Sequence, residues 1–223
     1  MPAPHLHPSF DRADVASFRG AGDGMALRLL HTDPTLHRTL CPEDTPSRLI
    51  FDTLEQFRVE SLAAGAWDGV RANLAHRFSR WSHEFVASGL TETVHGMLLF
   101  TVLQMCRARI TAEPIPETTQ DLLESTRFGL ASVLGEQLPQ LRRTRHSQSG
   151  FAGEVLASAD GKGPAEIARA VATDPQVLLH AEPTAGLSRE DKARLAALLR
   201  QIAGDAGIGV LVVEHDMELV MGI

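Results

Sequence analysis

Apolar residues recur at helical spacing through most of the first 157 positions. Leu49, Ile50, Leu54, Phe57 and, at its edge, Ser61 fall on one face of a helix that Thr45 caps and Pro46 opens. Proline fits there because its missing N–H would have no intrahelical partner. Val70, Leu74, Phe78, Trp81 and Phe85 form the stripe of a second helix over residues 69–87, closed by Ser88 and Gly89. A third starts after Thr91 or Thr93 and runs through MLLFTVLQMCRARI. It is apolar on most faces, which places it at the centre of a bundle, and Pro114 and Pro116 end it. A fourth helix is expected over residues 119–134, before Gly135, and a fifth over residues 140–157, with Pro139 near its start. The predicted core is Phe57, Phe78, Trp81, Leu98, Leu99, Leu103, Leu122 and Leu134. Residues 1–21, with Pro2, Pro4 and Pro8, read as a loose arm. Residues 26–40, interrupted by Asp33–Pro34, read as extended or turn-rich, because the residue before a proline is pushed out of the helical region.

The pattern changes beyond residue 157. A short helix over residues 164–172 precedes a buried-type strand over residues 176–180. Ser188 caps a helix running to residue 204, with Asp191 as a weak capping-box partner, and a second buried strand covers residues 208–213. Two strands joined by one crossover helix make a βαβ unit, which requires a parallel sheet. Two strands are too few for an independent sheet covered on both faces. The basic residues shift at the same place: residues 1–157 hold fifteen Arg and no Lys, whereas the remainder holds Lys162, Lys192 and four Arg. The expected organisation is therefore an arm (1–21), an all-α domain (22–157) and a small α/β segment (158–223).

Composition narrows the class. The chain has 223 residues, an ordinary 43% hydrophobic content and a net charge of −7, which argues against general binding to nucleic acid or anionic membranes. Cys41 and Cys106 are far apart and lack metal-ligand spacing, as expected of reduced thiols in a cytoplasmic protein. No apolar run reaches membrane-spanning length, and no signal pattern opens the sequence, so no direct membrane insertion is expected.

Three features carry candidate chemistry. On the helix IFDTLEQFRVE, Asp52 and Gln56 share a face, and Glu55 and Arg58 stand at i,i+3. The first reading is a solvated face with local ion pairs; the alternatives are a docking surface for a partner subunit, or a metal or catalytic carboxylate pair. The histidines His5, His7, His31, His37, His76, His83 and His95 show no i,i+4 pairing on helices and read as ordinary surface or core residues. The basic run Leu141–Arg142–Arg143–Thr144–Arg145–His146 is a solvated helix face or a dock for an acidic partner. No cofactor or metal site is expected.

The stretch DGMALRLLHTDPTLHRTLCPEDTPSRLIFDTLEQFRVESLA, from Asp23 onward, resembles the N-terminal region of the T subunit of aerobic cobaltochelatase. The matching features are Met25–Arg28, His31 or His37, Ile50–Asp52, Glu55–Gln56 and Arg58–Glu60, and the likeness continues through ANLAHRFSRW, SGLTETVHGMLLFTVLQMCRARI and LRRTRH. It covers about residues 22–157. The resemblance implies a subunit that works with an AAA+ ATPase partner to drive a third subunit, which inserts cobalt into a corrinoid ring. The family's von Willebrand A-like domain, with its D-x-S-x-S metal motif, has no counterpart in these residues.

Residues 166–223 instead resemble the C-terminal half of an ABC ATPase of the branched-chain amino-acid importer type. Glu182 matches the catalytic glutamate and His215 the switch histidine. Ala181 stands where the family has the magnesium-orienting aspartate, and a methyl group offers no hard oxygen ligand. Ser158 survives from the signature motif, but Asp160 replaces its glycine and would repel phosphate. No G-x-x-x-x-G-K-[S/T] loop occurs in the sequence. The sites at Glu182, His215 and Ser158 are thus expected to be degenerate, within a truncated P-loop NTPase-like segment. The expected function is a cobaltochelatase-like accessory subunit, non-catalytic by itself. The alternative is the ATP-binding protein of an ABC transporter.

Overall fold

A computed structural model describes residues 3–6, 14–43, 45–63, 65–134, 137–156, 177–181 and 209–213. The helices are α1 (Val15–His31), α2 (Pro34–Leu40), α3 (Thr45–Glu60), α4 (Asp68–Ala87), α5 (Val94–Thr111), α6 (Glu117–Leu134), α7 (Gln137–Thr144) and α8 (Gln148–Leu156). Short 3-10 turns at Pro4–Leu6 and Leu90–Glu92 accompany them. The chain up to Leu156 is thus mainly helical, as its periodicity predicts.

The N-terminal third departs from the expected arm and turn-rich segment. Ala3, His5 and Leu6 are buried, and α1 starts at Val15 with the Asp14 carboxylate accepting from the Ser17 amide at 3.0 Å. The buried positions of α1, Ser17, Gly20, Ala21, Gly24 and Leu27, lie at helical spacing but are mostly small. Their smallness hides the stripe from a hydrophobicity reading. It is also what lets the helix approach its neighbour: a Cβ on Gly20 would overlap the Asn73 carbonyl oxygen of α4 and lie 2.7 Å from Arg77 Cβ. The Asp33–Pro34 step does break the chain, but as a helix start. Asp33 is the N-cap of α2, accepting from the Thr35 and Leu36 amides at 2.8 and 3.1 Å, with Pro34 in the first turn.

The later helices follow their signals closely. Thr93 is the N-cap of α5, accepting from the Gly96 amide at 3.0 Å, and Gly89 turns the chain after α4 with a left-handed φ of 76°. The expected fifth helix is two. Ser147 interrupts it, its Oγ accepting from the Gly150 amide at 3.1 Å and its carbonyl from the Phe151 amide at 2.8 Å, which caps α8. Pro139 falls in the first turn of α7, where its lost donor costs nothing.

One apolar core joins α3 to α8. Phe57, Phe78, Trp81, Leu98, Leu103 and Leu134 are buried in it as predicted. Leu99 is only half-buried against it, and Leu122 is 38% exposed while Leu123 takes its place at 1%. Leu49, expected on the buried face of α3, is also exposed. The aromatic centre is edge-to-face or tilted, with Phe57–Phe78 centroids at 5.8 Å and Phe78–Trp81 at 5.3 Å; Phe85 and Phe100 stack at 4.9 Å.

Beyond residue 157 the described elements are β1 (Val177–Ala181) and β2 (Gly209–Val213). They pair in parallel, Val177 opposite Gly209 through Ala181 opposite Val213. The helices expected over residues 164–172 and 188–204 lie outside the described residues, so the βαβ crossover itself is not described. No helix among the described residues is long and apolar enough to cross a membrane.

Candidate functional site

The charged groups of α3 are not on a solvated face. Asp52, Glu55, Gln56, Arg58 and Glu60 are all 6% exposed or less. The helix carries apolar residues on opposite sides, Ile50, Leu54 and Phe57 on one and Val59 on the other, so packing encloses it. Its ionic groups must then find partners inside the protein, because an unpaired buried charge is far costlier than a paired one.

They do so in three clusters that tie α3 to its surroundings. At the first, Arg28 of α1 donates to the Asp52 backbone oxygen at 2.9 Å and to Asp52 Oδ1 at 2.8 Å, while His37 Nε2 of α2 lies 2.7 Å from Oδ1. Burial pushes the Asp52 carboxyl up, but the His37 hydrogen bond and the Arg28 charge outweigh it and hold it down at about 2. At the second, Glu55 accepts from Thr32 Oγ1 at 2.7 Å and takes both oxygens to the Arg58 guanidinium at 2.7 and 2.8 Å. Arg58 goes on to the carbonyls of His31 and Arg145 at 2.7 and 3.1 Å, fastening α3 to the ends of α1 and α7. At the third, Gln56 donates to the Gly24 carbonyl at 2.9 Å and to Glu60 at 3.2 Å, and Glu60 meets His5 at 2.7 Å. Burial raises the Glu60 carboxyl, but the charge and hydrogen bond of His5, with Arg107 and Gln56, bring it below its ordinary value. Arg107, in turn, lies 4.0 Å over the Phe78 ring.

The first cluster opens on a cleft of about 490 Å³ walled by Leu6, Met25, Leu29, Arg28, His37 and Asp52. Cys41 adds a thiol, and one donor atom each of His37, Cys41 and Asp52 lie within 4.8 Å of one another. That is metal-ligand proximity, but a cation is already in place. The Arg28 nitrogen 2.8 Å from Asp52 Oδ1 is also 3.0 Å from His37 Nε2, so a guanidinium charge already meets two of the three groups. A carboxyl held near 2 is ionised throughout the neutral range and cannot serve as a proton donor there. The clusters act as ties between helices.

Asp52, Glu55, Gln56, Arg58 and Glu60 stand out in the sequence, but their pairing with Arg28, Thr32 and His5 does not. The signal was Val59, which sits opposite Ile50 and Leu54 and marks α3 as enclosed. His76, by contrast, sits at the surface, 2.8 Å from Asp14 Oδ1. Ala181 ends β1; Ser158, Asp160, Glu182 and His215 lie outside the described residues.

Comparison with known proteins gives one family match and several shorter ones. Residues 1–157 match the family described as cobalamin biosynthesis protein CobT. The ABC-type resemblance is matched by shorter stretches. The chain is 41% identical over 58 residues to the high-affinity branched-chain amino acid transport ATP-binding protein LivG of Escherichia coli (strain K12), covering 26% of this chain and 23% of that protein. It is 43% identical over 58 residues to BraF of Pseudomonas aeruginosa, with the same coverage, and 46% identical over 57 residues to the methionine import ATP-binding protein MetN of Salmonella enteritidis, covering 18% of it. The chain thus spans less than a quarter of the length of these curated relatives. No solved structure matches it.

Proposed function

Because the chain belongs to the CobT family of cobalamin biosynthesis proteins, we propose that its helical part is a cobaltochelatase-type accessory module. In this reading it makes no bond itself. It docks an AAA+ ATPase subunit and helps that ATPase act on the cobalt-inserting subunit. The family match over residues 1–157, coincident with the helical core, carries the proposal. The buried ion pairs of α3 support the non-catalytic part, since its carboxylates are engaged in holding helices together rather than facing a substrate. The ABC-like tail, in the same reading, is a degenerate fragment without nucleotide chemistry. Phosphoryl transfer rests on a phosphate loop, its Lys and magnesium, and Glu182 and His215 act only on a phosphate that other elements hold.

The test has two arms on the full chain. In a pull-down with the AAA+ chelatase subunit of the same organism, binding at micromolar concentration is expected; none, with the chain folded by circular dichroism, overturns the accessory role. In a titration with a fluorescent ATP analogue and magnesium, no saturable binding is expected. Micromolar binding that disappears on Glu182→Gln or His215→Ala would instead favour an ABC-transporter ATPase.

A further inference from the structure

The C-terminal end of α5 and the α7 turn form a groove lined by arginines that the ties within the fold do not use. Arg109 of α5, Arg142 and Arg143 of α7, and Arg145 and His146 of the following turn enclose about 370 Å³ with Pro139, and no carboxylate is in the wall. A second cavity of about 240 Å³ shares Arg142 and Arg145 and extends the groove past Arg71 and Arg107. Of the two acids of this extension, Glu113 pairs with Arg71 at 3.0 Å, and Glu60 meets His5 through Oε1 at 2.7 Å, its buried Oε2 having no hydrogen-bond partner.

Among the described residues, none of Arg109, Arg142, Arg143 and Arg145 takes part in an ion pair. Their bonds are few and to neutral groups. Arg142 donates to the Arg109 carbonyl at 3.3 Å, Arg143 to Gln140 Oε1 at 3.5 Å, and Arg145 to the His146 ring at 3.2 Å. The ends of α5 and α7 supply some compensation, since a helix C-terminus is worth about half a negative charge. Two such ends offset roughly one of four guanidinium charges. The remainder is a local positive field on a chain whose net charge is −7.

We propose that this groove docks an extended acidic segment of a partner protein, a run of Asp and Glu residues. Guanidinium forks match carboxylates two bonds at a time, and among the described residues each of these keeps most of its five donors free. Two adjoining cavities sharing Arg142 and Arg145 make an elongated site, which suits a peptide better than a compact oxyanion. Nucleic acid fits less well. Neither wall holds a Phe or Trp on which a base could stack, and the overall negative charge repels a long polyanion. A short acidic run meets only the local field. The site is independent of the partner named under the proposed function, so either can fail alone.

The experiment is fluorescence anisotropy of a labelled oligo-glutamate peptide titrated with the full chain. Saturable binding is expected, weakening several-fold between roughly 0.05 and 0.3 M salt. Arg142→Ala with Arg145→Ala is expected to weaken it by roughly tenfold or more. Arg109→Glu with Arg143→Glu, both at exposed positions, is expected to do the same and guards against loss of fold in the first pair. Arg38→Ala with Arg48→Ala, on another face, is expected to leave it unchanged. Absence of binding overturns the proposal, as does equal weakening by the Arg38/Arg48 control. Tighter binding of a single-stranded oligonucleotide at the same arginines overturns it in favour of nucleic acid. Full competition by low-millimolar inorganic pyrophosphate overturns it in favour of a small oxyanion site.

Discussion

Replacing Asp52 by Asn tests whether the buried charge network of α3 stabilises the fold. The substitution keeps the side chain's shape and removes its charge, leaving Arg28 and His37 without their carboxylate. Asp52 is held at about 2 against an ordinary value of 3.8. At about 1.4 kcal/mol per pH unit, that depression is worth about 2–3 kcal/mol of stability at neutral pH. Breaking a fully buried pair can cost about 3–5 kcal/mol. Here the smaller figure is expected, because the Arg28 side chain is 18% exposed and keeps its bond to the Asp52 backbone oxygen. The pH dependence gives the sharper check. A depressed carboxyl stabilises the fold above its unfolded value, and that stability is lost as pH falls through the folded value. The difference between wild type and Asp52→Asn should therefore be full from pH 7 to 5, about half gone near pH 3 and largely gone near pH 2. Urea unfolding followed by tryptophan fluorescence measures it cleanly. Both tryptophans, Trp67 and Trp81, lie in the helical part, and Trp81 sits in its core at 8% exposure, so residues beyond 157 do not contribute signal. A loss below about 0.5 kcal/mol at pH 7 would refute the reasoning, as would a loss at pH 3 as large as at pH 7.

Two further outcomes follow from burial. Leu54→Ala, at 1% exposure in the α3 face of the core, is expected to cost about 2–5 kcal/mol, whereas Leu122→Ala, at 38% exposure, is expected to cost under about 1 kcal/mol; the same urea assay ranks them. Cys106 is fully enclosed, and burial pushes its thiol up to about 12. One thiol per native chain, the half-buried Cys41, should therefore react with a maleimide at neutral pH and the second only in denaturant, counted by intact-mass spectrometry.

What was legible in the sequence followed from side-chain size. Helices α3 to α5 announce themselves because Phe57, Phe78, Trp81 and Leu103 are large apolar residues at helical spacing. The α1 helix does not, because Gly20, Ala21 and Gly24 form its buried face, and small residues leave no hydrophobic stripe. The misplacement of Leu122 has a related cause. The buried positions of α6 run Thr119, Leu123, Thr126, Leu130, Leu134, and two threonines in that series break an apolar-only count. The charge pairs were half legible. Glu55 and Arg58 are visible at i,i+3, but their burial depends on α1 crossing over them, and α1 was the helix the pattern concealed.

These two failures have one origin, and it bears on where a partner can bind. A helix whose Asp, Glu and Arg residues read as a wet face presents an apparent docking surface; once α1 and the Pro4–Leu6 turn cover it, that surface is gone. Arg28, Thr32, His31 and His5 consume the very groups that made it attractive. Among the charged groups that the fold does not pair are Arg109, Arg142, Arg143 and Arg145, beside the point where Arg58 reaches the Arg145 carbonyl. The same bond that completes the internal network fixes the turn on which the free arginines stand. Weakening the Glu55–Arg58 tie would thus loosen the arginine groove as well as the core, and a loss of acidic-peptide binding in Glu55→Gln without any change to an arginine would reveal that coupling.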